Sequence, residues 1–469
     1  MWTAEQLTTL ADTQPRTLVP IVLDMQARLQ ALESRGALHS QNSSKPPSSD
    51  GYLKPAPKSL REKSGRKPGG QNGHRGHTLR PVASPDAVVP HTLTLCPCGC
   101  GKDLRRQPLV RYEHRQVFDL PEIRLRVTEH RAEVKVCPCC AREQVAPFPQ
   151  GVNAPAQYGP RFKSWLSYWR HQQLLPLDRL AQMCQDLLGH PVSEATIQGV
   201  EVELDAALAP FEARLRDLLR QAPLAHFDET GVRVAGRLHW LHGASTDALT
   251  WYGVHAKRGS SAMNEFGILP QFRGRAVHDC LESYFRYRCD HGTCNAHLLR
   301  ELVFMDEVLH EPWARPLRRL LLRMLKAVRA RGPEPLSRRR IEALTRRYRA
   351  LVAKGLRRHP RQDPIPRRRG RPRQSKAHNL LRRLHHHEIS VLAFLHDPSV
   401  PFTNNLIERD LRMSKVQQKI SGTFRSLAGA RRFARIRGYI STARKNRWNI
   451  LDVLSAALQH QPIMPRAPA

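Results

Sequence analysis

The chain has 469 residues, which is enough for about three domains of ordinary size. Its 76 Lys and Arg residues outnumber 41 Asp and Glu residues, giving a formal net charge of +35 and a pI near 10.8. This balance favours a polyanionic partner such as nucleic acid, and the lack of an apolar run of about 18 residues argues against a membrane-spanning protein. The N-terminus lacks the basic flank and apolar core of a signal peptide, so we expect a cytoplasmic, nucleoid-associated protein.

The first 40 residues contain an amphipathic pattern. Apolar residues recur at steps of four and three at Leu18, Val22, Met25, Leu29 and Leu32, which predicts a helix that could pair with a second copy. Pro20 suggests that the helix begins near that residue. A helix that packs on its own domain is the alternative.

Residues 41–90 form a linker rich in Ser, Pro, Gly and Lys. Such a composition predicts a flexible basic tether. Three of its cations, Lys63, Arg66 and Lys67, could lie along a phosphate backbone. The alternative is a solvated tether with no partner.

Six of the ten cysteines lie in two groups within residues 91–150, at 96–100 (CPCGC) and 137–140 (CPCC). Tight groups of this kind in a reducing compartment predict Zn²⁺ ligation, with a strand across Ile123–Val127 between the two knuckles. Cys137 and Cys140 fit a CxxC pair, whereas the first knuckle offers only CxC or CxxxC choices. We assign Cys96, Cys100, Cys137 and Cys140 as the Zn²⁺ ligands, although the choice of four from six stays open and buried free cysteines are the alternative.

Residues 160–222 show helical patterning, and the pattern then changes to short apolar stretches. Stretches at 224–227, 232–234, 238–241 and 249–254, with a tight turn at 235–237, predict three antiparallel strands. A further strand at 276–278 would deliver Asp279 at its exit, and Asp228 would lie where the first strand ends. Strand ends often bind ligands and metals, but an Asp there is more often a cap or turn former.

A third acid, Glu408, follows Asn404, which could cap a helix that begins just before the acid. The alternative role for Glu408 is a surface ion pair with Arg412. Together, Asp228, Asp279 and Glu408 could clamp two metal ions over a phosphodiester.

Four segments resemble the signatures of DDE transposases of insertion-sequence family 66 (the TnpC type). They are residues 226–231 (HFDETG), 295–302 (NAHLLREL), 401–412 (PFTNNLIERDLR) and 419–426 (KISGTFRS). The resemblance runs from about Ser44 to Leu454 and implies an RNase H-like core with Asp228, Asp279 and Glu408 as the catalytic triad. It also implies Mg²⁺, or Mn²⁺, at these acids and phosphodiester hydrolysis followed by strand transfer. The first zinc knuckle departs from the CxxC that is usual in the family.

The resulting fold class is α/β. An RNase H-like catalytic core would occupy residues 223–300 and 396–460, the latter with C-terminal helices, and would be interrupted by a basic helical insertion at 301–395. The N-terminal helical segment (1–40), the linker (41–90), the small zinc-ribbon module (91–150) and a helical region (160–222) would precede it.

The insertion and the C-terminal helix are strongly basic. Residues 315–383 hold 25 Lys and Arg residues against three acids, so DNA phosphates or counterions are expected there. Candidate DNA contacts in these two segments are Arg367, Arg368, Arg369, Arg371 and Arg373, and Arg431, Arg432 and Arg435. The helical pattern of residues 429–445 places Arg437 and Arg444 on the same face as the last three. The first group resembles cores that lie in AT-rich minor grooves, with an ordinary basic loop as the alternative.

Residues His291, Cys294 and His297 form another candidate ligand group, with Cys289 as the nearest fourth ligand, although packing or capping is the simpler role. The expected partners are double-stranded DNA (transposon ends and target), a second copy of the chain on paired ends, and accessory proteins of the same element, with no membrane. Two other classes of protein stay open: a stand-alone metal-dependent nuclease of related fold, and a zinc-containing DNA-binding protein without catalytic activity.

Overall fold

The computed structural model describes residues 11–12, 15–36, 39, 78–362, 372 and 374–466. They divide into two compact units, a larger one of residues 1–57, 130–186 and 190–469 and a smaller one of residues 58–129 and 187–189. About half of the chain is helical, and the rest includes two sheets. The fold class is therefore mixed α and β, as predicted.

Before the main sheet the described residues form several α-helices and one small hairpin. These are α1 (Pro15–Gly36), β1 (Val134–Val136), β2 (Glu143–Val145), α2 (Pro160–Ser167), α3 (Leu177–Leu188), α4 (Glu194–Ala207) and α5 (Ala209–Gln221). The predicted helices at the N-terminus and across 160–222 are therefore present. One detail of α1 was wrong: it begins at Pro15, so that Pro20 lies inside it. Pro20 is the sixth residue of α1, so it lacks the N–H that would bond to the carbonyl of residue 16, and its ring crowds that carbonyl.

The main sheet has five strands in the order β5-β4-β3-β6-β7. Three are antiparallel, β3 (Leu224–Val234), β4 (Arg237–Ser245) and β5 (Thr250–His255), as predicted. The other two, β6 (Arg275–His278) and β7 (Asp290–Thr293), run parallel to β3. A short helix, α6 (Ser260–Phe266), connects β5 to β6.

The turn between β3 and β4 was predicted correctly, but the end of the first strand was not. Ala235 and Gly236 have φ values of 47° and 74°, the left-handed pair that a two-residue hairpin turn requires. The two apolar stretches before this turn form one strand of 11 residues, because β4 pairs with β3 continuously from His226 to Val234. Asp228 consequently lies inside β3 rather than at its end.

After β7 the chain is helical. The elements are α7 (Asn295–Glu307), α8 (Ala314–Arg331), α9 (Arg338–Arg358), α10 (Lys376–His386), α11 (Glu388–Val391), α12 (Ala393–His396), α13 (Asn405–Ser421), α14 (Leu427–Lys445) and α15 (Ile450–Leu458). The segment predicted as a helical insertion is therefore helical where it is described. No helix among the described residues is long and apolar enough to cross a membrane.

Two apolar cores hold the catalytic candidates in place. One joins Val277 of β6 to buried side chains of α7 through α12, including Trp313 and Leu381. The other joins β3, β4 and β5 to α13 and α14 through residues such as Ile407 and Leu411. Since burial of an aliphatic side chain contributes about 1.5–3 kcal/mol, these contacts strongly fix α13 against the sheet.

The strand predicted across Ile123–Val127 was wrong. That segment has no strand, and Val127 is exposed. The strands lie beside the second knuckle instead, where β1 and β2 pair antiparallel and the N–H of Cys137 donates to Arg142 O. A tight knuckle brings its own flanks together, so local pairing replaces the expected longer strand.

Gly274 provides a test of this packing. A Cβ at Gly274 would lie 2.2 Å from Ala222 O and 2.6 Å from Pro223 O, and backbone atoms cannot rotate away. We expect Gly274→Ala to lower the free energy of unfolding by about 1–3 kcal/mol in chemical denaturation. The matched control is Gly199→Ala on α4, where a Cβ meets nothing within 4 Å, and this variant should gain up to about 1 kcal/mol. Equal effects of the two variants would contradict the packing described.

Candidate active site

Asp228 and Asp279 meet because two parallel strands have different lengths. The pairing of β6 with β3 runs from Leu224↔Arg275 to His226↔Val277, and β6 ends at His278. Asp279 therefore leaves the sheet beside the segment of β3 that carries Asp228. The prediction that Asp279 follows a strand is confirmed.

The charges of the predicted acids act on one another. Burial is the largest cause that raises the pKa of the Asp228 carboxyl well above its usual range, and the charges of Glu229, Asp279 and Glu408 raise it further. Burial, followed by the charge of Glu229, raises the pKa of Asp279 to about 6. Asp228 is therefore close enough to the other two predicted acids for both of their charges to raise its pKa.

Hydrogen bonds of a buried amide position the helix that carries Glu408. The helix α13 begins at Asn405, as predicted, but the side chain of Asn404 does not cap it. Its Oδ1 accepts from His226 Nδ1 at 2.8 Å, and its Nδ2 donates to Phe227 O at 2.8 Å. Asn404 thereby ties α13 to β3 next to Asp228, which a local capping rule could not anticipate.

The carboxylate of Glu408, in the first turn of α13, lies beside the start of α7 and is partly exposed. The Oε1 atom of Glu408 lies 3.7 Å from Cys294 Sγ and 3.9 Å from His297 Nδ1. The contacts of Glu408 therefore differ from the surface ion pair with Arg412 that the sequence left open. His291 does not join this group; its Nδ1 lies 3.0 Å from His278 Nε2.

A fourth carboxylate, Glu229, is adjacent to Asp228 and fully buried at its side chain. Arg258 Nε donates to Glu229 Oε1 at 2.7 Å, and the Tyr284 hydroxyl donates to Oε2. Arg258 Nη2 also lies 3.5 Å from Asp279 Oδ2. Sequence reasoning missed all three residues; only Glu229 had a signal, its place in the HFDETG segment.

A second internal ion pair fixes the far side of α13. Lys445 Nζ donates to Asp410 Oδ2 at 2.7 Å, and the same oxygen accepts from Ser245 Oγ at 2.6 Å and Thr250 Oγ1 at 3.2 Å. Both ionic side chains are largely buried, and hydrogen bonds to charged groups are among the stronger ones. Asp410, two residues after Glu408, thus anchors the helix to β4, β5 and α14.

The two cysteine knuckles lie in different units and are described separately. In the smaller unit, one ligand atom from each of Cys96, Cys98 and Cys100 lies within 4.8 Å of the others. In the larger unit, backbone N–H groups of Cys140 and Cys139 lower the pKa of the Cys137 thiol, which favours the thiolate that binds metal. These thiols fit Zn²⁺, and Cys98 joins Cys96 and Cys100 as a candidate in the first knuckle.

The chain matches models of known protein families. The family described as "Transposase IS66 family" matches residues 155–432, more than half of the chain. The chain belongs to the IS66 transposase family. The "zinc-finger binding domain of transposase IS66" matches residues 94–141, and a family of unknown function (DUF6444) matches residues 6–80. No curated protein matched the chain.

The predicted DNA contacts of this IS66-family chain are only partly described. Lys63, Arg66, Lys67 and Arg367, Arg368, Arg369, Arg371 and Arg373 lie outside the described residues. On α14, Arg435 pairs with Asp205 and Glu212, and Arg432 lies 3.8 Å from Glu201. Arg431 is the most exposed of the three and lies 3.7 Å from Glu265.

One expectation about α14 was wrong. The sequence pattern placed Arg437 on the same DNA-facing side as Arg431. In the structure Arg437 is only 5% exposed and donates to His171 O and Gln172 Oε1. Helical packing against the segment after α2 therefore takes this cation out of any DNA surface.

Asn404 offers a test of how the IS66 family site is held together. Asn404→Ala would leave His226 Nδ1 and Phe227 O without these bonds in a buried place, so we expect a loss of about 1–3 kcal/mol in the free energy of unfolding. The control is Asn405→Ala, because Asn405 is the exposed neighbour at the start of α13. Urea denaturation of both variants measures the difference. A loss no larger in Asn404→Ala than in the control would show that the amide bridge is dispensable.

Proposed function

We propose that this chain is a DNA transposase that cleaves and joins strands at the ends of an insertion sequence, with Asp228, Asp279 and Glu408 as the metal-holding acids. The single observation that carries the proposal is that three segments with these acids lie side by side: β6 pairs with β3 up to His226↔Val277, just before Asp279, and Asn404 at the start of α13 donates to Phe227 O, next to Asp228. Family membership supports the same reaction class. We also propose that the sheet, three antiparallel strands extended by two parallel ones, is an RNase H-like core.

The residues present fit a divalent metal. Asp228 is largely buried, and the nearby charges of Asp279 and Glu408 raise its pKa further, so a cation among these acids would offset that repulsion. Their ligand atoms are all carboxylate oxygens, which suit Mg²⁺ or Mn²⁺. When bound, such ions lower the pKa of an attacking water or 3′ hydroxyl and stabilise the leaving oxygen.

The protein's other side chains hold these three acids in position and keep a fourth acid, Glu229, from binding the metal. Both oxygens of Glu229 accept hydrogen bonds, from Arg258 and Tyr284, so this carboxylate is already satisfied. Asn404 fixes α13 from the β3 side, and the Asp410–Lys445 pair fixes it from the other. The position of Glu408 is thereby set by contacts that need no substrate.

The described surface offers a path for DNA along α9. This helix carries nine Lys and Arg residues and one acid, while Tyr348 and Val352 on its other side are buried. Three of these cations pair with carboxylates: Arg338 with Glu342, Arg349 with Glu388 and Arg358 with Glu311. The remaining cations of α9 would repel one another, and phosphates would relieve that repulsion. We propose that α9, Arg431 and the basic segments outside the described residues hold DNA, with the zinc module at the transposon end.

We also propose two kinds of protein partner, a second copy of this chain and accessory proteins. The exposed apolar side chains of α1, such as Val22, Met25 and Leu29, would pair two copies on paired ends. Accessory proteins of the same element would be further partners, and DNA binding would place the protein at the nucleoid.

The main test is Mg²⁺-dependent cleavage of duplex DNA that carries the ends of the flanking element. We expect Asp228→Asn, Asp279→Asn and Glu408→Gln each to reduce cleavage by at least about 10³-fold, because each removes a metal-binding charge. DNA affinity should change little, since the basic surfaces are untouched. The matched control is Asp186→Asn, an exposed acid on α3, which should cleave like the wild type.

The outcomes separate the competing functions. Cleavage without joining of the 3′ end to target DNA would indicate a stand-alone nuclease. Tight binding without cleavage by the wild type would favour a binding-only protein. Equal loss of cleavage and binding in the three variants would reject the metal-holding role.

The DNA path has its own test. Arg346 and Arg347 are exposed on α9, so the double variant Arg346→Ala/Arg347→Ala should reduce the slope of log affinity against log salt by about one for each lost phosphate contact. The control removes the same charge elsewhere, with Arg179→Ala/Arg214→Ala on α3 and α5, and should leave the slope unchanged. Filter binding at several salt concentrations measures both. Identical slopes in the two double variants would exclude α9 from the DNA surface.

A further inference from the structure

A second group of atoms that could bind metal includes one of the predicted acids, Glu408. Cys294 immediately follows β7, His297 lies in the first turn of α7, and Glu408 lies in the first turn of α13. One ligand atom from each lies within 4.8 Å of the other two. The group therefore combines a thiol, an imidazole and a carboxylate. Cys294 and His297 are three residues apart, and Glu408 follows His297 by 408 − 297 = 111 residues.

The contacts of these atoms favour a ligand over simple packing. Cys294 is fully buried, and its Sγ accepts the backbone N–H of Asn404 at 3.1 Å. Burial, followed by the charge of Glu408, raises the pKa of the Cys294 thiol to about 12, so the ion would have to displace the thiol proton, as a bound cation does at a coordinating thiol. The buried Nδ1 of His297 has no hydrogen-bond partner in the part of the chain that the structure describes, and an unsatisfied buried nitrogen is costly.

The spacing suits a tetrahedral ion of the Zn²⁺ class. Metal-ligand distances of about 2.3 Å for sulfur and about 2.0 Å for nitrogen or oxygen place the ligands of a tetrahedral ion roughly 3.3–3.8 Å from one another. The Oε1 of Glu408 lies 3.7 Å from Cys294 Sγ and 3.9 Å from His297 Nδ1. A shift of a few tenths of an ångström in these two separations would reach that geometry.

The donor set differs from that of the proposed Mg²⁺ site. Asp228 and Asp279 offer only hard oxygens, whereas a thiolate and an imidazole select Zn²⁺ and similar ions. Glu408 is the one residue common to both groups. An ion held by Cys294 and His297 would therefore compete for the carboxylate that the proposed reaction needs.

We propose that Cys294, His297 and Glu408 form an inhibitory site for an ion of the Zn²⁺ class, distinct from the cysteine knuckles. The thiol proton passes to solvent when the sulfur binds the ion, and an oxygen of Glu408 turns toward the ion and away from Asp228 and Asp279. The existence of the site is independent of the proposed function, whereas its inhibitory effect rests on it. A free coordination position would remain for water.

The probe is Co²⁺, added to the full-length protein after the cysteine knuckles have been loaded with Zn²⁺. Co²⁺ displaces Zn²⁺ poorly from such ligands, so the titration reports the additional site. We expect one equivalent of Co²⁺ to bind with the near-ultraviolet absorption of a Co²⁺–thiolate bond. Cys294→Ser should abolish that absorption, and His297→Asn should weaken Co²⁺ binding by about tenfold or more.

The matched control is Cys289→Ser, which removes a thiol that lies 3.9 Å from His291 Nε2 and outside the proposed site. It should bind Co²⁺ like the wild type. Cys294→Ser retains a hydroxyl that can donate to Glu408. If the Cys294 thiol served only as a hydrogen-bond donor, Co²⁺ would bind equally to Cys294→Ser and to the wild type. Absence of the additional equivalent in the wild type, or its persistence in Cys294→Ser, would overturn the proposal.

Cleavage assays separate this site from the proposed function. Micromolar Zn²⁺ added to saturating Mg²⁺ should slow end cleavage by the wild type, and each variant's rate with Zn²⁺ is compared with its own rate without it. Cys294→Ser should lose this inhibition, and unchanged inhibition in that variant would overturn the inhibitory role. If no variant cleaves DNA, the proposed function fails while the Co²⁺ titration still decides whether the metal site exists.

Discussion

The hydrogen bonds of one buried amide join the two halves of the candidate site. Asn404 binds both the ring of His226 and the carbonyl of Phe227, so the start of α13 is fixed against the strand that carries Asp228. His226 and Phe227 precede Asn404 by 178 and 177 residues. Closing so long a loop costs conformational entropy. The apolar contacts of Ile407 and Leu411 supply most of the compensating energy, but they are not directional. The amide sets the register of α13, and with it the direction of the Glu408 carboxylate.

The long segment between β7 and α13 can be inserted at this point because it forms its own core. Trp313, Tyr348 and Leu384 are buried within the helices α7 to α12, and the Tyr348 hydroxyl donates to Leu384 O. Val277 connects that core to β6. The outer faces of α8 and α9 are therefore free to carry a charge density that would be unfavourable in a helix without other support. Stability comes from the inner faces, so the outer faces can be selected for contact with a polyanion.

Local chemistry explains which features the sequence could predict. The Ala235–Gly236 turn and the strand before Asp279 follow from backbone preferences and alternation, and both are present. The position of Asp228 inside β3 was missed because continuous pairing with β4 outweighs the polar interruption of the strand pattern. The capping role of Asn404 was wrong for a related reason: a long-range bond took the side chain that a local rule assigned to the helix. Arg258 and Tyr284 meet Glu229 across 29 and 55 residues, and no periodicity in one sequence encodes such a pairing.

The hydrogen bonds of Glu229 with Arg258 and Tyr284 determine how many acids are available to bind metal. Glu229 follows Asp228 directly, and alternation along β3 directs the two side chains to opposite faces of the sheet. A carboxylate without partners at the buried position of Glu229 would be too costly to keep ionised. Arg258 and Tyr284 satisfy its two oxygens, and the second guanidinium nitrogen of Arg258 approaches Asp279. The same cation pairs with Glu229, and its charge lowers the pKa of Asp279, which burial raises. Cys294 and His297 lie beside Glu408. In the two proposed metal sites, Mg²⁺ and an ion of the Zn²⁺ class would compete for Glu408, the one ligand that the sites share.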